Sequence, residues 1–272
     1  MAKTIIVPLD GSTFAERALV PAQALARQSG AELVLAMSRL GGETEPERYL
    51  ESTAAAAGLD SARTVVFADR LAASAIPSLA DTEPDALVCM TTHGRSGAGH
   101  ALFGSVAEAV VRGLDVPVVL VGPSVRGVGT ARFEELIVCL DGSPTAAAIL
   151  PVAQGFARDL GLAVWLVDVV DPDRRVPADA ANDVGASESG PLQRVAHGLD
   201  AADLTVNWET LHGRDAAAAI VEFAESRRAP LVAMTTHGRT GLVRIAVGSV
   251  TMAVVRRAAC PVLVMRSRDL AG

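Results

Sequence analysis

Residues 91–95 read Thr91-Thr92-His93-Gly94-Arg95, and the same five residues stand again at Thr235-Thr236-His237-Gly238-Arg239, 144 positions later. Working outward from this pair, Gly104-Ser105-Val106 returns as Gly248-Ser249-Val250 at the same offset. Val116-Pro117-Val118-Val119-Leu120 returns as Cys260-Pro261-Val262-Leu263-Val264. Near the start, Val7-Pro8-Leu9-Asp10-Gly11-Ser12 returns as Val138-Cys139-Leu140-Asp141-Gly142-Ser143, but 131 positions on. The second copy is therefore 13 residues longer between the counterparts of Asp10 and Thr91. The extra length belongs in the polar stretch Asp171–Gly190, which has two prolines, two glycines and no periodicity, and reads as a surface loop. A period this long is domain-sized rather than that of a solenoid. The expected division is a first domain at 1–125, a linker at 126–132 and a second domain at 133–272.

Each copy alternates strand and helix. Lys3–Leu9 is an apolar run suited to a strand buried on both faces. Ser12 stands where a helix N-cap belongs, apolar residues then follow at helical spacing to Gln28, and Gly30 stops that helix. Strands follow at Glu32–Met37, Arg63–Phe67, Ala86–Met90 and Val116–Val121. Helices are expected at Glu45–Ala57, Leu71–Ala80, with a kink or early end at Pro77, and Gly104–Gly113. The second copy repeats the order, with strands near Leu136, Val164, Val206, Leu231 and Val262. This is an α/β pattern: two tandem doubly wound domains, each with a mostly parallel five-stranded sheet flanked by helices. In such sheets ligands bind beyond the carboxyl ends of the strands, where the strand order reverses. The loops after strands one and four are those places, and they are the segments the repeat preserves.

Composition narrows the functions. The formal net charge is −7 and aromatic residues make up 3% of the 272, which argues against a phosphate-backbone binder and against base-stacking platforms. Cys89, Cys139 and Cys260 lie far apart in apolar strands, form no Cys-x-x-Cys pair, and suit inert thiols in a reducing cytosol. Met1-Ala2-Lys3 leads straight into a strand without a signal peptide, and no apolar run reaches the roughly 20 residues needed to span a bilayer. No nucleic acid and no membrane are expected as partners.

The candidate chemistry sits in the loop from Thr91 to Ser105. Gly94, Gly97, Gly99 and Gly104 thin it so that backbone N–H groups can approach a ligand, and Gly104-Ser105 opens a helix whose N-terminus favours an anion. Gly238, Gly241, Gly248 and Ser249 repeat the register. An ordinary turn with Ser105 as cap is the alternative reading. Asp10 and Asp141 end strand one of each copy, as ligand acceptors or as Asp-Gly turn residues. His93 and His237 have no cluster of metal-ligating neighbours and read as loop-ordering residues. His197 and His212 read as surface residues. Arg244 can reach a terminal phosphate, whereas its counterpart His100 is a weaker cation, so the second site is expected to be the tighter one.

A strand ending in Asp-Gly-Ser, a loop written His-Gly-x9-Gly-Ser-Val and a last strand introduced by Val/Cys-Pro-Val together resemble the universal stress protein family, and the duplication is similar to its tandem members. The resemblance implies ATP or ADP, with or without Mg²⁺, in a cytoplasmic regulatory or stress-response protein with no defined reaction. It implies that Asp10 and Asp141 hold the adenosine end and that Pro8 and Cys139 line the adenine pocket. Residues Thr91, Thr92, His93, Gly94, Arg95 and Gly97, with Thr235, Thr236, His237, Gly238, Arg239 and Gly241, would wrap the phosphates. Gly104, Ser105, Val106, Gly248, Ser249 and Val250 would hold them at the helix starts. ATP-binding members carry glycine where this chain has Thr91 and Thr235. Gly213 matches a glycine after strand three, whereas the first copy has Asp69 there. The resemblance also implies that the last strands of the two copies meet as an intrachain pair, and a homodimer is a further expected partner state.

Two other functions compete. An adenylating, nucleotidyl-transferring or ATP-hydrolysing enzyme lacks support: there is no Ser-Gly-Gly-x-Asp-Ser loop and no Gly-x4-Gly-Lys-Ser/Thr loop, and Lys3 is the sole lysine. An interaction module that has kept the fold and lost the ligand is the other.

Overall fold

The computed structural model describes residues 2–41, 45–83, 85–94, 104–125, 132–173, 190–200, 204–236 and 247–266. In the first half, β1 (Thr4–Leu9) leads through a 3-10 turn (Ala15–Ala18) to α1 (Leu19–Ser29), followed by β2 (Glu32–Ser38), α2 (Pro46–Ala56), β3 (Arg63–Phe67), α3 (Ala72–Thr82), β4 (Ala86–Thr91), α4 (Ser105–Gly113) and β5 (Val118–Val121). The second half holds β6 (Glu135–Cys139), α5 (Pro144–Ala147), α6 (Leu150–Leu160), β7 (Ala163–Val170), α7 (Gly190–Asp200), β8 (Val206–His212), α8 (Ala216–Glu225), β9 (Pro230–Thr235), α9 (Ser249–Arg257) and β10 (Val262–Met265).

Local chemistry sets these boundaries. Gly30 (φ 72°) and Gly161 (φ 64°) close α1 and α6 in the left-handed conformation. Ser12 and Ser143 each accept a hydrogen bond from the backbone N–H three residues on, at 3.1 Å. The helix expected directly after Ser12 begins instead as a 3-10 turn, while Ser143 caps an α-helix at once. The second half has Pro144 at the first helical position, with φ pre-set for a helix, where the first half has Thr13. Pro77 does not end α3, which runs on to Thr82. Ala75, Ile76 and Ala80 bury one face of that helix, and the Pro77 ring lies against Gly113 of α4. This packing offsets the lost backbone hydrogen bond.

The two halves share a single ten-stranded sheet in the order β3-β2-β1-β4-β5-β10-β9-β6-β7-β8. Neighbouring strands run parallel within each half, and the central pair β5–β10 is antiparallel. Its register sets Val119 opposite Leu263, with Val118 opposite Val264 and Leu120 opposite Val262. Val119 and Leu263 are equivalent positions of the repeat, so a pseudo-two-fold axis passes between them and the contact is self-complementary. The expected meeting of the two last strands is thus observed.

Hydrophobic clusters cover both faces of the sheet, and each draws on both halves. Ile5, Val7 and Leu9 point to one face together with Leu136 and Leu263, and Ile6 points to the other with Ile137 and Val262. Further contacts lock the halves. Gln28 of α1 donates to the carbonyls of Phe133 (3.0 Å) and Leu160 (3.2 Å) and accepts from Phe133 N–H at 2.6 Å. Ser124 Oγ donates to Arg256 O at 2.8 Å, and Arg266 Nη1 donates to Arg112 O at 3.0 Å. Gly122 lies so close to the Val255 carbonyl that a Cβ there would overlap it.

Two measurements follow from this shared core. Chemical denaturation is expected to show one cooperative transition, and Gly122→Val is expected to lower stability by about 1–3 kcal/mol by forcing β5 off α9. Separate transitions for the halves would contradict the shared core. The three thiols are all buried, and burial holds each above its ordinary range, Cys260 up to about 12. Because an unfolded thiol ionises near 9.0, this contribution to stability is complete below that pH and is lost progressively as the pH rises from there toward the folded values. Native protein at pH 8 is expected to resist a disulfide-exchange reagent that labels all three thiols in denaturant.

Candidate functional site

In each half the chain leaves the first and fourth strands toward opposite faces of the sheet. Leu25 of α1 belongs to one hydrophobic cluster and Val110 of α4 to the other. A crevice therefore opens between the C-terminal ends of β1 and β4, and likewise between those of β6 and β9. The first cleft encloses about 320 Å³ and the second about 270 Å³.

Asp10 lines the first cleft and Asp141 the second. Asp10 Oδ1 accepts from Ser12 N (3.0 Å) and Ser12 Oγ (2.6 Å), and Asp141 Oδ1 makes the same two bonds to Ser143 at the same distances. Gly11 (φ 83°) and Gly142 (φ 77°) provide the left-handed turn that this requires. The turn fixes one carboxylate oxygen. The other oxygen of Asp10 lies over Gly94, where a Cβ would overlap it. Turn and cleft roles thus coexist in one side chain, and a Cβ at position 94 would require the Asp10 carboxylate to shift.

The threonine pairs tie the loop ends together. Thr91, Thr92, Thr235 and Thr236 are all 5% exposed or less. Thr91 Oγ1 donates to His93 O at 2.7 Å, Thr92 Oγ1 lies 2.9 Å from His93 Nδ1, and Thr251 Oγ1 donates to Thr235 O at 3.0 Å. Gly104 N–H donates to Thr92 O at 2.8 Å, and Gly248 N–H donates to Thr236 O. A Cβ at Gly104 would stand 3.0 Å from Thr92 O, so this closure favours glycine. Thr91 occupies the position at which the resemblance expects glycine, and its hydroxyl serves the loop. His93 also meets the Phe14 ring edge-on at 6.0 Å, with the Arg17 guanidinium 4.8 Å over that ring, which agrees with a loop-ordering histidine.

Helices α4 and α9 start at these closures. Their N-caps are Gly104 and Gly248, and neither start has a side-chain cap, whereas Ser143 caps α5 and Asp215 caps α8. The first backbone N–H groups of an α-helix have no intrahelical acceptor. Here Ser105, Val106, Ser249 and Val250 line the clefts, so both helix starts border them.

The structure brings Pro8, Asp10, Thr91, Thr92, His93, Gly94, Gly104, Ser105 and Val106 together in the first cleft. It brings Cys139, Asp141, Thr235, Gly248, Ser249 and Val250 together in the second. Thr236 adjoins the second cleft through its bond to Gly248. Gly213 directly follows β8, donates to Val170 O at 3.0 Å, and is not among the described lining residues, nor is its counterpart Asp69. Arg95, Gly97, Gly99, His100, His237, Gly238, Arg239, Gly241 and Arg244 lie outside the described residues. Sequence reasoning missed Ser38, Ala72 and Ile76 in the first cleft and Val169, Ala216 and Ile220 in the second. The aliphatic ones carry no motif, because the same side chains also pack the core. Ser38 had a signal: a polar residue closing an otherwise apolar strand.

Comparison with known proteins gives the lineage. The model of the universal stress protein family matches residues 1–122 and again 132–266. A universal stress protein of Methanocaldococcus jannaschii is 32% identical over 145 residues, covering 51% of this chain and 85% of that protein. One of Mycobacterium tuberculosis is 26% identical over 196 residues, covering 70% of this chain and 65% of the mycobacterial protein's length. Among solved structures, a universal stress protein of Archaeoglobus fulgidus superposes with a TM-score of 0.66 at 20% identity, covering 98% of this chain and 97% of that one. A functionally unknown Pseudomonas aeruginosa protein superposes at 0.68 and 16% identity over 98% and 94%. With both halves matched by its model and the expected α/β architecture observed, the chain belongs to the universal stress protein family.

Proposed function

We propose that each cleft binds an adenine nucleotide, ATP or ADP, and that the chain acts as a cytoplasmic, nucleotide-responsive regulatory protein of the stress response rather than as an enzyme. The observation that carries the reading is the polarity of the clefts. At one end, helix N-terminal N–H groups without a side-chain cap meet a hydroxyl, Ser105 or Ser249, as a phosphate requires. At the other end, Ala72 and Ile76, or Ala216 and Ile220, offer an apolar wall suited to a base. Asp10 and Asp141 lie between, placed to accept from ribose hydroxyls. A Mg²⁺ carried on the phosphates needs only one or two protein carboxylates, and these aspartates stand in the same clefts. Such a ligand fits the residues present.

Mass spectrometry of the purified protein after denaturation is expected to find adenine nucleotide. Calorimetric titration then isolates each cleft. Ser105→Glu or Ser249→Glu sets a carboxylate at an exposed helix start, which suits the helix dipole but repels phosphate. In the Ser105→Glu background, Asp141→Ala is expected to weaken binding by roughly 5- to 150-fold, the equivalent of about 1–3 kcal/mol. If the folded wild-type chain binds no nucleotide, the reading falls and the interaction module takes its place.

A further inference from the structure

The helix starts at the two clefts are joined by a circuit of contacts that passes through both halves. Strands are parallel within each half and antiparallel at the β5–β10 joint, so the clefts open at opposite ends of the sheet. Helix α4, about 13 Å long, therefore runs from the first cleft toward the end of the sheet at which the second opens, and α9 runs the reverse course. Carbonyls in the last turn of an α-helix have no intrahelical donor. Arg112 O, in the last turn of α4, accepts from Arg266 Nη1 at 3.0 Å, and Arg256 O, in the last turn of α9, accepts from Ser124 Oγ at 2.8 Å. Each donor comes from the opposite half, just beyond its final strand.

The same strand ends hold the loop closures of the clefts. Thr92 N–H donates to Val121 O at 3.2 Å, and Thr236 N–H donates to Met265 O at 2.9 Å. The carbonyls of these threonines accept from Gly104 N–H and Gly248 N–H, the N-caps of α4 and α9. From the start of α4 the path thus runs along that helix, across Arg266 to β10 and Thr236, along α9, across Ser124 to β5 and Thr92, and back to its origin. There is little slack in it. Position 122 is glycine where the repeat has Arg266, and a Cβ there would overlap the Val255 carbonyl, so the end of β5 bears directly on the last turn of α9. Thr92 and Thr236 are buried, so breaking either closure leaves a polar group unsatisfied away from water.

Building on the nucleotide reading above, we propose that this circuit closes and opens as a unit and couples the two clefts with positive cooperativity. A phosphate at one helix start favours the closed circuit, and the closed circuit seats the other helix start on its threonine carbonyl. Two ligands that prefer the same state of a protein strengthen each other's binding. Ser124 and Arg266 are positioning residues in this account. Each holds the far end of a helix that borders the cleft of the other half.

Calorimetry with ATP measures the coupling. Ser105→Glu and Ser249→Glu each leave one cleft open and give its affinity alone. In the wild type, the constant for filling both clefts is expected to exceed the product of those two by about fivefold or more. In the Ser124→Ala, Arg266→Met double variant, which leaves both helix starts intact, the excess is expected to fall to within about twofold of the product. Hydrogen exchange gives a second reading, which decides if one cleft alone takes ATP or if the double variant does not fold. With Ser105→Glu, ATP in the second cleft is expected to slow exchange of residues 106–113 in the empty half by about fivefold. With Ser249→Glu, ATP in the first is expected to do the same at residues 250–257. ATP binding with no excess in the wild type, an excess that survives the loss of both bonds, or, where exchange decides, no slowing across the joint overturns the inference and leaves the nucleotide reading standing. A folded wild-type chain that binds no ATP overturns both.

Discussion

A parallel α/β half that ends on β5 leaves one row of backbone donors and acceptors along its last strand, and that edge must be covered. Here it is covered by the same strand of the other half, in the pairing of Val118–Leu120 with Val262–Val264. These strands are apolar on both faces, so pairing satisfies the backbone and the helices on either side bury the side chains. A two-fold arrangement is the economical solution when the two edges are copies of each other, because one sequence pattern complements itself. Two further inter-half contacts obey the same near-symmetry: the carbonyls of Arg112 and Arg256, at equivalent places near the ends of α4 and α9, each accept a hydrogen bond from the opposite half.

The clefts inherit their geometry from this arrangement. Helices α4 and α9 have their N-termini in the clefts and their C-terminal turns against the joint between the halves. Both clefts therefore stand on one rigid sheet, with Asp10 and Asp141 held by matching turns whose hydrogen bonds agree to the tenth of an ångström. Equivalent main-chain scaffolds carry unequal side chains. Pro8 corresponds to Cys139, Ser38 to Val169, and Ala107 to Thr251, whose hydroxyl bonds to the strand beneath it. The duplication gives the two halves matching clefts, and the substitutions make their linings chemically unequal.

Much of this was legible in the chain itself. The duplicated Thr-Thr-His-Gly-Arg and Gly-Ser-Val segments located the loop closures, because the backbone contact at Gly104 and the Asp10 carboxylate over Gly94 both favour a residue without a side chain, which repetition makes visible. Strand alternation located the switch points. Other features depend on contacts between distant segments. Whether the two sheets would fuse into one rested on the pairing of β5 with β10, which periodicity within either copy does not encode. The helical continuity of α3 through Pro77 depends on burial against α4, and local propensity alone argues for a break. The apolar ends of the clefts come from α3 and α8, whose alanines and isoleucines look the same whether they face a ligand or a core.

Native-state hydrogen exchange followed by mass spectrometry tests the central claim most directly. If the β5–β10 ladder is the joint on which the molecule depends, segments 118–121 and 262–265 will exchange as slowly as the innermost strands β1 and β6, opening only with global unfolding. Rapid exchange at these two segments, with β1 and β6 still protected, would show two self-sufficient halves in loose contact and would contradict the account.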